Sequence, residues 1–365
     1  MLKKTRRGLG ARRWFGGNWQ LVPPRNPLGE ATLHSPPQTP LSLFATSCIS
    51  PLILPLLLLF TLAPAGCFES VVSEGRVVYD KNELKIQRFS LFNQQEEAPS
   101  VRQSWKGDWL FRRERLQLVD KELWDAQADL LLLGGVMARY DNPLESDRSI
   151  LMAGALKGYD WQEEAIGKFE ESGESELIAV AVSPPLKAEK LRKLWQWKEG
   201  SLFFQELSSN GQPLYAFVFQ SEAQLTLPRL ESVVSTIFDF IKANAFCQRR
   251  VLIGGYFRTS YTKQLSETME QFEFKDAAKG FCNVEYECYT ESTRNELFML
   301  VRGEAQPARS ELIFVHRTAM VSQSLLNFSD SQSIGTSYYK SFGLQSLWPS
   351  MYFGWLSTVR LAMCE

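Results

Sequence analysis

Apolar positions along the chain recur at a spacing of two in some stretches and near 3.6 in others, and the changes of period mark its elements. Lys85-Ile-Gln-Arg-Phe-Ser-Leu-Phe92 alternates as a strand does and ends at Asn93, with a polar loop expected through Ser100. Leu116, Val119, Leu123 and Ala126 share one helical face, and Ala128-Asp-Leu-Leu-Leu-Leu133 then reads as a strand buried on both sides. Leu177–Val182, Ser201–Leu207 and Leu214–Phe219 read as strands, with a helix expected after Pro184-Pro185 and before Ser201. Pro228 opens the clearest helix, whose apolar stripe is Leu230, Val233, Val234, Ile237, Phe238 and Ile241. Val251-Leu-Ile253, Glu311–Val315 and Trp355–Ala362 complete the expected strands. Strands spread along the chain with helices between them predict a layered α/β (α+β) domain. No Pro/Gly/Ser linker divides residues 81–365, which read as one domain, and no repeat of 20–50 residues suggests a solenoid or propeller.

The first sixty-six residues follow none of these patterns. They hold seven of the 40 Lys/Arg and one of the 41 Asp/Glu, which leaves 33 basic and 40 acidic residues beyond them, a net charge of −7. Ala31–Phe68 contains no charged side chain, and Pro51–Leu62 is strongly apolar but too short and too interrupted by Pro55 for a spanning helix. A basic start, an apolar middle and small residues after it read as an export signal over residues 1–66. Ala63-Pro-Ala65 offers an ordinary cleavage site. Ala65-Gly66-Cys67 resembles a bacterial lipobox, which would lipidate Cys67, leave residues 67–80 as a tether and anchor the protein at a membrane. An exported, membrane-anchored or periplasmic bacterial protein is the localisation this implies. Cys247, Cys282, Cys288 and Cys364 then make an even number that an oxidising compartment could pair. The acidic balance of the remainder argues against nucleic acid as a partner.

The order of segments in 81–365 resembles the endonuclease/exonuclease/phosphatase superfamily of metal-dependent nucleases, inositol-phosphate phosphatases and sphingomyelinases. The resemblance rests on the first strand ending at Asn93, on Ala128-Asp-Leu-Leu-Leu-Leu-Gly-Gly-Val136, and on Val251-Leu-Ile-Gly-Gly-Tyr-Phe-Arg-Thr259. Arg309-Ser-Glu-Leu-Ile-Phe-Val315 and Ser350-Met-Tyr-Phe-Gly-Trp355 continue it. It implies a four-layer α/β sandwich, two packed mixed β-sheets flanked by helices. It also implies a chemistry in which a divalent cation polarises a phosphoryl oxygen while a carboxylate activates water.

The residues that such chemistry needs are not where the resemblance puts them. The family's metal-binding Glu falls on Gly135, and its Asp and Asn on Tyr256 and Arg258. Its Asp–His pair falls on Met351 and Tyr352, and its other His on Gln220 or Ser221. Asn93, Arg309 and Glu311 (an Asp in the family) persist. The chain has two histidines: His34 in the presequence and His316 at the outer end of a strand. A pseudoenzyme without a metal cofactor is therefore expected. Its binding or envelope role would centre on a pocket of Arg258, Arg309, Tyr256 and Tyr352 able to hold a phosphorylated ligand or lipid head group. The rival expectation is a Mg²⁺- or Mn²⁺-dependent phosphodiesterase using Asp129, Asp141, Glu285 or Glu311. The Trp195-Gln-Trp197 pair and the terminal Trp348, Tyr352, Phe353 and Trp355 fit core packing better than a contact surface. The acidic run from Glu163 to Glu176 fits a solvated loop. Nothing in the sequence points to a protein partner.

Overall fold

The computed structural model describes residues 80, 83–91, 112–139, 146–169, 174–209, 211–282, 288–295, 298–299, 306–327, 332–333, 346–347 and 352–364. All lie in the compact unit Val72–Glu365. The presequence with Cys67, and Asn93 and Met351, lie outside the described residues.

In chain order, β1 (Leu84–Ser90), α1 (Arg112–Ala126) and β2 (Leu130–Arg139) form a parallel crossover. α2 (Asp147–Ala153), β3 (Asp160–Phe169) and β4 (Glu174–Val182) follow. Next come β5 (Lys187–Ala188), β6 (Arg192–Trp197), β7 (Gly200–Ser209) and β8 (Gln212–Ser221). α3 (Leu227–Ala243) crosses over to β9 (Val251–Tyr256), which lies parallel to β8. α4 (Thr262–Gln271), β10 (Phe274–Asp276), β11 (Glu311–His316) and β12 (Met320–Asn327) come after it. The short β13 (Gln332–Ser333) and β14 (Ser346–Leu347) pair with each other, and β15 (Gly354–Arg360) ends the series. One mixed sheet has the order β12-β15-β1-β2-β4-β3. The other has the order β10-β11-β9-β8-β7-β5, with β6 also on β7.

Strand alternation divides the apolar residues among three cores. Ile86, Leu130, Leu132, Ile178 and Val180 of the first sheet meet Phe203, Ala216, Val218, Leu252 and Ile313 of the second. The opposite face of the first sheet (Leu131, Leu133, Leu177, Ala179) is covered by Leu116, Val119 and Leu123 of α1. That of the second (Phe204, Phe217, Ile253, Phe314) lies under the α3 stripe, whose six predicted residues are all buried. Two sheets face to face with helices outside give the four layers that the resemblance implied.

Two local expectations fail. The segment after Pro184-Pro185 forms β5 and β6 instead of a helix, because both hydrogen-bond to the free edge of β7 and Leu191 is buried in the central core. Tertiary pairing outweighs the helix preference of its Lys, Glu and Leu residues. The acidic run is likewise a pair of strands. Glu163 and Glu164 stand on β3 opposite Ala179 and Ile178 of β4, and Glu163 accepts from the Trp161 indole at 2.6 Å. Of the Trp pair, Trp195 is 53% exposed, whereas Trp197 packs at 6.3 Å from the Phe219 ring. Phe353 and Trp355 are core residues.

The four downstream cysteines pair as Cys247–Cys364 and Cys282–Cys288. The first bond joins the segment before β9 to the chain beyond β15, across 117 residues of sequence. Closing so long a loop removes much entropy from the unfolded chain. Cys364→Ser is expected to lower the unfolding free energy by about 2–5 kcal/mol. Urea titration of the oxidised protein and the variant measures the difference.

Candidate functional site: a cation caged in the cleft floor

The rows of side chains that face the opposite sheet are apolar for most of their length and turn polar at one end of the sandwich. On β1 the row runs Ile86, Arg88, Ser90; on β2, Leu130, Leu132, Gly134; on β8, Ala216, Val218, Gln220. On β9 it runs Leu252, Gly254, Tyr256, and on β11 Val315, Ile313, Glu311. Pairing of β8 with β9 sets Gln220 beside Tyr256, and pairing of β9 with β11 sets Tyr256 beside Glu311. Pairing of β1 with β2 sets Ser90 beside Gly134.

Arg88 fills the space among them. Its Nη1 donates to the carbonyls of Phe89 (2.7 Å) and Leu132 (3.0 Å). Its Nη2 donates to Ser90 Oγ (3.2 Å) and Gln220 Oε1 (2.9 Å). Nε lies 3.0 Å from Glu311 Oε2, with both side chains 0% exposed. That approach is an ion contact, since the N–H is not aimed at the oxygen as a hydrogen bond requires. Burial draws the guanidinium pKa down, while Glu311 and then Tyr256 oppose the shift. An arginine starts so high that it stays charged near neutral pH.

The remaining wall is aromatic. Tyr256 donates to Glu291 Oε1 at 2.9 Å, and its hydroxyl is 3.5 Å from that of Tyr352, with both tyrosines fully buried. Arg309 grips Asp276 through both Nη atoms, at 2.6 and 2.7 Å, and lies 5.2 Å from the centre of the Trp355 ring. Arg258 is half-buried, and its carbonyl accepts from Leu225 N.

No family model and no curated protein matches the sequence. Solved structures do. An endonuclease/exonuclease/phosphatase family protein from Bacteroides thetaiotaomicron is 12% identical, with a TM-score of 0.56 over 78% of this chain and 99% of its own. The chain has the endonuclease/exonuclease/phosphatase fold. A mannosyl-6-phosphatase from the same organism (12% identity, TM-score 0.54) is matched over 77% of this chain and 100% of its own. A family protein from Bacteroides vulgatus (14%, 0.52) is matched over 77% and 100%. At these identities the likeness is one of fold.

Within that fold, Gly135 stands in the left-handed region at φ 61°, at the β-bulge where β2 slips against β4 between Leu133 and Val136. A side chain there would strain the backbone, so the position serves chain geometry. Gln220 is a buried acceptor for Arg88, and Glu311 is that residue's counter-ion. The residues present do not fit a divalent cation. The floor's carboxylate is already neutralised, its other acceptors receive N–H donors, and no three His, Cys, Asp or Glu cluster among the described residues. Of the other acids considered, Asp129 lies at the far end of β2, accepting from Lys85 N at 2.8 Å, while Asp141 and Glu285 fall outside the described residues.

Sequence reasoning missed Arg88 and Glu291. Arg88 was within reach of it, since parity with Ile86 places it on the inter-sheet face. Glu291 sits between strands, held by paired backbone bonds with Ala308, and no pattern marks it.

Tyr256→Phe removes a donor to a buried carboxylate and is expected to cost about 1.5–3 kcal/mol, read by chemical denaturation. His316 is buried at the end of β11, 2.8 Å from Thr318 Oγ1 and 3.3 Å from Glu273 Oε2. Burial holds its pKa below the usual value, Glu273 opposes this, and Arg249 and Arg317 add to it. The folded chain thus binds fewer protons at this ring than the unfolded one. Its contribution to stability is full above about pH 6.5 and is lost as pH falls towards the depressed folded value. His316→Gln should flatten that part of the stability profile.

Proposed function

We propose that this protein is a non-hydrolytic member of its fold, exported and anchored by a lipid on Cys67, with a binding role at the bacterial envelope. The observation that carries the reading is the buried ion pair Arg88–Glu311. It commits the persisting carboxylate to a side chain and, among the described residues, leaves no other carboxylate on the floor beside it to activate water. Losing one acid–base group typically costs about two to four powers of ten in rate, and here Gly135, Gln220, Tyr256 and Tyr352 stand where the resemblance puts a metal ligand or an acid–base group. Export is supported by the two disulfides, which persist in oxidising compartments.

Of the candidate ligand residues Arg258, Arg309, Tyr256 and Tyr352, Arg258 is the half-buried one and the others are engaged or enclosed. Two of these are fully buried and Arg309 is bound bidentately to Asp276. A ligand would instead meet the outer wall of the cleft. The second reading, a divergent divalent-metal phosphodiesterase, draws on the mannosyl-6-phosphatase that shares the fold.

Hydrolysis of bis(p-nitrophenyl) phosphate and sphingomyelin with Mg²⁺, Mn²⁺ or Ca²⁺ decides between them. No turnover above an EDTA control is expected. Metal-dependent turnover that disappears in Glu311→Gln would sink the non-hydrolytic reading.

A further inference from the structure

The two disulfides stand in different surroundings. Cys288 is buried in the central core, and Cys282 packs against the same cluster. Cys247 and Cys364 are half-buried and line a cavity of about 350 Å³. Its wall reaches solvent where Glu273, half-exposed, pairs with the exposed Arg317. That volume is near the lower limit of pockets that hold small ligands. Exchange at a disulfide needs a thiolate to reach a sulfur, so access decides which of two bonds reacts.

The Cys247–Cys364 bond stands at the end of the sandwich opposite the Arg88–Glu311 pair. Cys247 precedes the start of β9 in the second sheet, and Cys364 follows the end of β15, which lies beside the start of β1 in the first. Three weaker contacts cross the same region. Asp80 N donates to the Leu361 carbonyl at 2.8 Å, and the Asp80 carboxylate pairs with Arg250. Arg249 Nη1 donates to the Met363 carbonyl at 3.4 Å. The sheets are thus tied at one end by an ion pair and at the other by a covalent bond that faces a cavity.

We infer that Cys247–Cys364 is an exchangeable bond, a modification site for low-molecular-weight thiols that enter this cavity, and that opening it unties the sheets at this end while Cys282–Cys288 stays closed. A thiolate RS⁻ attacks Sγ of Cys247 or Cys364. An R–S–Sγ bond forms, the Sγ–Sγ bond breaks, and the departing thiolate takes a proton from water. A second thiolate attacks the sulfur that carries R, which releases RSSR and leaves both cysteines as thiols. Two electrons pass from two thiols to the protein. No residue of the cleft floor takes part, so the inference stands apart from the non-hydrolytic reading.

The test treats full-length oxidised protein, its free thiols first blocked with N-ethylmaleimide, with 2-mercaptoethanol in native buffer. Samples are trapped with iodoacetamide over time and mapped by peptide mass. Mixed disulfides and alkylation are expected at Cys247 and Cys364 before any at Cys282 or Cys288. Amide hydrogen exchange should quicken over 361–364 and at the start of β9, and stay unchanged in the strand ends that carry Arg88 and Glu311. Gln248→Trp, which narrows the cavity from an exposed position, should slow the reduction several-fold without moving the melting temperature of the oxidised protein. Reaction at Cys282–Cys288 first, or at both bonds together, overturns the inference. So does reaction at neither until the protein unfolds, or a Gln248→Trp protein reduced as fast as the wild type. Reduction at Cys247–Cys364 with no change in hydrogen exchange removes the tie between the sheets. If Gln248→Trp misfolds, the order of reaction and the exchange in the wild type still decide.

Discussion

A charge buried between two β-sheets has to find its counter-charge inside the sandwich, and the whole floor of this cleft is arranged around one such requirement. Arg88 belongs to the first sheet, Glu311 and Gln220 to the second. The ion pair therefore ties together the two layers at the end where their apolar rows stop. Apolar packing holds the sheets together without fixing their register, whereas a planar guanidinium with four directed hydrogen bonds allows one placement. The tyrosine pair and Glu291 extend the same polar layer, so the interior passes from hydrocarbon to ion pair to hydroxyls.

Most of the layered fold could be read from periodicity. The α3 stripe, the alternating β1 and the buried β2, β4 and β8 runs are long enough and regular enough that burial leaves a plain trace in the sequence. Segments whose structure depends on a neighbour could not be read in this way. β6 (Arg-Lys-Leu-Trp-Gln-Trp) becomes a strand because β7 offers it an edge. β3 carries acids at positions that look solvated and are held against β4. The site was half legible. The replacements at Gly135, Tyr256 and Gln220 stand in the sequence, but what filled the space they left does not. Arg88 lies two residues from Ile86, so the strand rule placed it facing inward. An arginine in an alternating strand is ordinarily taken for the solvent side, and only the opposing sheet shows that it is not.

Backbone proximity does as much here as side-chain chemistry. A Cβ at Gly255 would stand 2.5 Å from the Phe219 carbonyl, and one at Gly254 would stand 2.4 Å from Leu132. The two glycines let β9 lie against β8 on one side and let the first sheet approach on the other. That close approach brings Glu311, one strand further along, to within ion-pair distance of β1. The small residues of β9 and the charged residue of β1 are thus parts of one solution, although they are 166 positions apart at their nearest.

Gly134 supplies the space that the head group of Arg88 and its acceptors occupy. A Cβ there would stand 2.4 Å from Gln220 Oε1, 2.9 Å from Ser90 Oγ and 3.0 Å from Arg88 Nη2. A side chain introduced on β2 at this point would have to push aside the ends of these three side chains before it could contribute a donor of its own. A donor built on that strand would therefore have to displace the guanidinium or its acceptors, which ties the bare backbone of β2 to the ion pair across the cleft.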